Sequence, residues 1–207
     1  MTKGASIKFT SYQDAVPKLL ALLKVQNELK KYDRIILKPY IKNSENYTSK
    51  EFVEAVLRFC LQHKNPVAEI VIAEGVDGFD TTELFESTGY QKLAEKYSVG
   101  LIDLNDTEVV ELVNDEYQKF DSIKYPRIML ESCVISLPLM QEDEETQISD
   151  SLTNMLGAFS SQHYAGFFSL KKSKIRKWPI KYSIHDILKC KMPNFVIVDA
   201  SKQGLIL

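Results

Sequence analysis

Polar residues punctuate this chain at short intervals and drop out in a few runs. The clearest is AEIVIAEG, residues 68–75, apolar and β-branched between Glu69 and Glu74 and closed by an acid and a glycine. A run of that kind reads as a strand covered on both faces, as in the middle of a parallel sheet. The design recurs in RIILK (34–38), stopped by Pro39, in residues 99–104, in SCVISL (132–137), stopped by Pro138, and in FVIVD (195–199). Residues 6–10 and 108–113 read as shorter strands, the second on an edge.

Helical spacing separates these runs. Val16, Leu19, Leu20 and Leu23 follow Ser11, with Asp14 completing a capping box. Thr48 and Glu51 form a second box ahead of Phe52, Val53, Val56, Leu57 and Cys60, in a helix that runs to near Asn65–Pro66. Asp80 or Thr81 opens a helical region that Gly89 interrupts and Leu93 to Tyr97 resume. Ser149 is expected to open a short helix through Leu152, Met155 and Leu156 to Gly157, and Ser183 with Asp186 another that ends before Pro193. Residues 114–127 carry no clear pattern, and 141–145 read as a solvated loop. Residues 158–182 read as a long aromatic, basic excursion. Strand and helix in alternation predict an α/β fold, a doubly wound, mostly parallel sheet flanked by helices, in a single domain over 1–207.

Composition narrows the class. The chain has 207 residues, 44% hydrophobic, with 26 Lys+Arg against 28 Asp+Glu, and a mean hydropathy of -0.18. Near-neutral charge argues against a nucleic-acid or anionic-membrane partner. No apolar run approaches the roughly 18 residues of a membrane span, and the N-terminus has no signal-peptide pattern. Cys60, Cys133 and Cys190 are widely spaced, which fits a reducing compartment. A soluble cytoplasmic protein is the expectation. The stretch with Tyr164, Phe167, Phe168 and Lys171 to Trp178 has the composition of a single-strand nucleic-acid platform. An exposed loop held down by its aromatics is the plainer reading.

Ligands of such sheets sit beyond the carboxyl ends of the strands. Those ends carry Lys38, Glu74 with Gly75, Asp103, Pro138 and Asp199. One lysine among carboxylates can orient an anion through Lys38, do acid–base work through Glu74, or hold a hydroxyl or a divalent metal through Asp103 or Asp199. Each residue is also what any strand end needs where the chain leaves the core. Helix N-termini at Thr48 and Ser149 offer free N–H groups to an anion, or are simply capped. The segment 74–78 fits neither dinucleotide nor Walker spacing. His63 and His163 lack ligand-spaced neighbours, and His185 lies beside Asp186 at an expected helix start, where a structural role is the plainer reading. No CxxC is present, so no iron–sulfur cluster is expected.

Several segments, in order, resemble the family called domain of unknown function 362. They are Ile36-Leu37-Lys38-Pro39, the helix led by Thr48, Ala73-Glu74-Gly75, Gly89-Tyr90 with Leu93-Ala94, and Asp103 to Asn105. Ser151-Leu152-Thr153-Asn154-Met155-Leu156-Gly157 and Ile197-Val198-Asp199 complete the set. The resemblance implies an α/β fold and a site that includes Gly75, Thr48, Asn154 and Asp199; the family is largely uncharacterised and implies no reaction. This chain departs from the pattern at Tyr40, usually Asn, and at Thr153, usually Lys. It also lacks the Lys and His expected soon after Pro138.

Two functions compete. In one, the chain binds or acts on a small anionic metabolite at the strand-end site. In the other it is a non-catalytic scaffold or homo-oligomeric interaction protein that uses 158–182 as its contact surface and has lost the family's basic residues.

Overall fold

The computed structural model describes residues 4–143, 147–149, 152–177 and 179–207. Its centre is a five-stranded parallel sheet built from β1 (Arg34–Pro39), β2 (Glu69–Glu74), β3 (Gly100–Asp103), β4 (Cys133–Leu137) and β5 (Phe195–Val196), in the order β5-β4-β1-β2-β3. Both faces are covered, which is why these strands read as unbroken apolar runs. Ile35, Leu37, Ile70, Ile72 and Ile135 point to one side. There they pack on α1 (Tyr12–Leu22), α2 (Lys50–His63), α3 (Thr81–Ser87) and α4 (Tyr90–Tyr97). Ile36, Val71, Ala73 and Val134 alternate to the other side. There they meet a hairpin (Val109–Leu112 with Ile123–Pro126), the 3-10 turn Thr153–Ala158, and α5 (Ile180–Cys190).

The chain moves outward from β1 through β2 to β3, then returns to lay β4 against the other edge of β1. The carboxyl ends of β1 and β4 therefore flank the point where winding reverses, the place where open sheets of this type make a crevice.

Several local expectations are corrected. The cap of α2 is Ser49, whose Oγ accepts from the Phe52 N–H at 3.3 Å. Thr48 is buried instead, its hydroxyl donating to the Leu137 carbonyl (2.7 Å) and accepting from the Tyr40 N–H (3.0 Å). The last strand divides, because Pro138 has no N–H with which to continue the β4–β5 ladder. Asp199–Ala200 joins Ile7–Lys8 and Leu205–Ile206 in a small antiparallel sheet. Gln141–Asp143 is a strand paired with Gln147–Ser149, so no helix starts at Ser149. Ile123–Pro126, in the patternless 114–127 stretch, is also a strand, and its hairpin partner Val109–Leu112 is not on the main sheet.

Ser183 and Asp186 are not a capping box. They lie inside α5, and the buried Asp186 carboxylate accepts N–H groups from Gln118 (2.8 Å), Lys119 (2.8 Å) and Phe120 (3.1 Å) of the hairpin loop. The excursion is partly ordered into the short helices Ser161–Tyr164 and Ser173–Arg176. Ser151, Trp178 and the acidic pair Glu144 and Glu145 lie outside the described residues.

Candidate functional site

Lys38 follows Ile36 by two positions, so its side chain leaves β1 on the face of the 3-10 turn. It is buried, and its Nζ lies 2.8 Å from each carboxylate oxygen of Glu74 and 3.3 Å from Asn154 Oδ1. Asn154 is held in turn by donating to the Lys38 carbonyl (3.0 Å) and to Ser136 Oγ (2.8 Å). Glu74 Oε1 also accepts the Gly75 N–H at 2.8 Å. Burial pulls the Lys38 pKa down, and the Glu74 charge opposes that pull.

Two glycines make this pair fit. A Cβ on Gly157 would overlap Glu74 Oε1 and sit 2.7 Å from Lys38 Nζ, and a Cβ on Gly75 would overlap the Gly157 carbonyl. Backbone therefore lies directly against backbone over the ion pair.

Beside it opens a cleft of about 450 Å³. Glu74, Gly75, Asn154 and Gly157 form its floor, Ile41, Phe79, Leu156 and Ile175 supply apolar wall, and Lys42, Lys171, Lys172 and Arg176 supply charge. Lys38 lies beneath, outside the lining. Lys172 is the second buried lysine, with Nζ donating to the carbonyls of Gly75 (2.8 Å) and Gly157 (3.2 Å). Burial lowers its pKa to about 8, the charge of Glu74 working against burial and that of Lys38 with it. Asp77 ties the wall together, accepting the Lys172 N–H (2.5 Å) and the Arg176 Nε–H (2.9 Å). Among the described residues, and with Lys38 counted, five cations stand around two carboxylates, and each of those carboxylates is in an ion pair.

Of the residues singled out in the sequence, Lys38, Glu74, Gly75 and Asn154 come together. Thr48, Asp103 and Asp199 do not join them. Asp103 ends β3, where its Oδ1 accepts the Asn105 N–H (2.8 Å) and burial raises its pKa. No group of three His, Cys, Asp or Glu side chains that could hold a metal gathers among the described residues, at Asp103 or elsewhere. Asp199 belongs to a second cleft, of about 420 Å³, where it accepts from the Tyr12 hydroxyl (2.9 Å) and the Ser201 N–H (3.0 Å). Lys172, Asp77, Arg176 and Gly157 escaped notice as site residues. Gly157 closes the Ser-Leu-x-Asn-x-x-Gly motif and could have been found there; Lys172 was hidden in a basic run of the kind usually solvated.

The pattern of the family described as Domain of unknown function (DUF362) matches residues 35–204. The chain belongs to the DUF362 family. All the clustered residues fall within the matched span, so the buried pair and its glycines lie inside this chain's DUF362 region. A solved structure of a protein from Thermotoga maritima has a similar fold, with a TM-score of 0.52 and 11% identity. The match covers 90% of this chain and 50% of that one, so the DUF362 chain spans about half the length of its solved neighbour. No curated protein matches it. No helix among the described residues is long and apolar enough to cross a membrane.

Proposed function

We propose that this domain binds a small anionic ligand in the cleft beyond the carboxyl ends of β1 and β2. The observation that carries the reading is the excess of cations over carboxylates among the described residues in and beneath this strand-end cleft, with both carboxylates already in ion pairs. Low-dielectric walls focus such a charge excess onto whatever enters. Lys172, Lys171, Lys42 and Arg176 would meet the anion. Lys38 and Glu74 would hold the floor, Lys38 acting as a fixed counter-charge and not as a contact. Ile41, Phe79 and Leu156 leave room for an apolar body, and about 450 Å³ is within the usual range for a small-molecule site.

The test is a thermal-shift series with inorganic phosphate, pyrophosphate, citrate, phenyl phosphate and AMP. A probe at about 100 times its dissociation constant should raise the midpoint by roughly 5–10 °C. Lys42→Gln/Lys171→Gln should abolish the shift, each protein's midpoint being compared with and without probe. Affinity should also fall as pH rises through about 8, where Lys172 gives up its proton, since only the ammonium attracts the anion. A flat response to every probe, or an unchanged shift in the double variant, sinks the reading.

A further inference from the structure

Exposed large apolar side chains are scattered singly over most of this molecule, as at Val67, Val113 and Met192, which is ordinary. One place differs. Phe167, Phe168 and Leu170, three within four consecutive positions, are 94%, 95% and 62% exposed. They sit on a tight turn closed by the Gly166–Ser169 bridge and by the Gly166 N–H donating to the Lys171 carbonyl at 3.0 Å. That closure pushes both phenyl rings outward at the apex.

The chain on the far side of the turn is wholly cationic. From 166 to 181 it has Lys171, Lys172, Lys174, Arg176, Lys177 and Lys181 and no acid. Lys172 is buried and Arg176 is paired with Asp77, while Lys171, Lys174, Lys177 and Lys181 are exposed.

We infer that the turn at 166–169 docks on an anionic lipid surface, with Phe167 and Phe168 entering the interfacial layer and Lys171, Lys174 and Lys177 meeting the headgroups. A convex apolar tip ringed by lysines matches such a surface in shape and in charge. Single-stranded nucleic acid would need ring faces laid open side by side. Here the rings meet edge to face, with centroids 4.8 Å apart and planes at 81°, so the edge of one covers a face of the other and the pair offers no two parallel faces to successive bases. The near-neutral charge of the whole chain does not weaken the inference, because headgroup attraction acts within a Debye length of the tip.

Vesicle co-sedimentation tests it, using the full chain and phosphatidylcholine vesicles with and without phosphatidylserine. The protein should pellet only with the phosphatidylserine vesicles and should be released by high salt. Phe167→Ser/Phe168→Ser should weaken partitioning about tenfold or more, and Lys174→Gln and Lys177→Gln about fivefold each. These side chains are exposed, so the variants should melt at the wild-type temperature, which separates lost docking from lost fold. Failure to bind phosphatidylserine vesicles overturns the inference, as does undiminished binding by the double serine variant. Two further results would also overturn it by assigning the tip elsewhere. One is oligothymidylate binding lost in that variant; the other is a concentration-dependent dimer lost in it.

Discussion

Lys38 and Glu74 form an ion pair with both partners buried, so its contribution is set by its geometry and its neighbours. Moving two charges out of water is costly, and their attraction repays that cost only with good geometry and satisfied neighbours. Here the geometry is two 2.8 Å contacts, and the neighbours are Asn154 and the Gly75 N–H. Removing one partner leaves the other buried and alone. Glu74→Gln should therefore lower stability by about 3–5 kcal/mol, read by urea denaturation. Lys38→Met/Glu74→Gln should recover much of the loss, because neither charge is then stranded; a double variant as unstable as the single one would contradict this account. The lysine and the glutamate could be picked out of the sequence because each closes an apolar run. Their mutual saturation could not, because it depends on Asn154 and on a register between strands far apart in the chain.

Among the elements, the strands were the most legible. Burial on both faces left the middle of β1 and β2 apolar, and β4 with Ser136 as its one polar residue, so the runs announce themselves. The order β5-β4-β1-β2-β3 was not written in any run, since every parallel strand here carries the same signal. Capping patterns misled twice, for a common reason: Ser, Thr and Asp hydrogen-bond locally or at a distance with equal chemistry. Thr48 spends its hydroxyl on Leu137 and Tyr40, and Asp186 spends its carboxylate on a loop. Asp186 fastens α5 to the turn at 118–120, and it is the element-level contact most exposed to test. Burial alone would raise its pKa, but His185 and the three backbone N–H groups outweigh burial and hold it below the ordinary aspartate value. A carboxylate with a depressed folded pKa contributes stability above its unfolded pKa of about 3.9 and loses it as pH falls through the folded one. Asp186→Asn should cost about 1–3 kcal/mol at pH 7 and remove that share of the acid sensitivity, checked by denaturation at pH 7 and pH 3. Equal losses at both pH values would count against the charge.

For the molecule as a whole, the sheet is wound in two directions from β1, and the two windings touch over the ion pair. Gly75 belongs to the outward winding and Gly157 to the crossover that returns toward β5. Their contact closes only when both halves are in place, because the atoms that meet are backbone and leave no slack for a side chain. Time then enters the picture. A contact between such distant parts of the chain carries a large loop-closure cost, so it is expected to form late in folding, with the lysine and glutamate beneath it hydrated until then. Gly157→Ala should accordingly leave the refolding rate nearly unchanged and raise the unfolding rate about 10- to 100-fold, measured by stopped-flow in urea. Equal effects on both limbs would place the contact in the folding nucleus. Where the unfolding limb alone moves, the pair of glycines is a latch on the lifetime of the folded state, setting how long the domain stays shut more than how fast it forms.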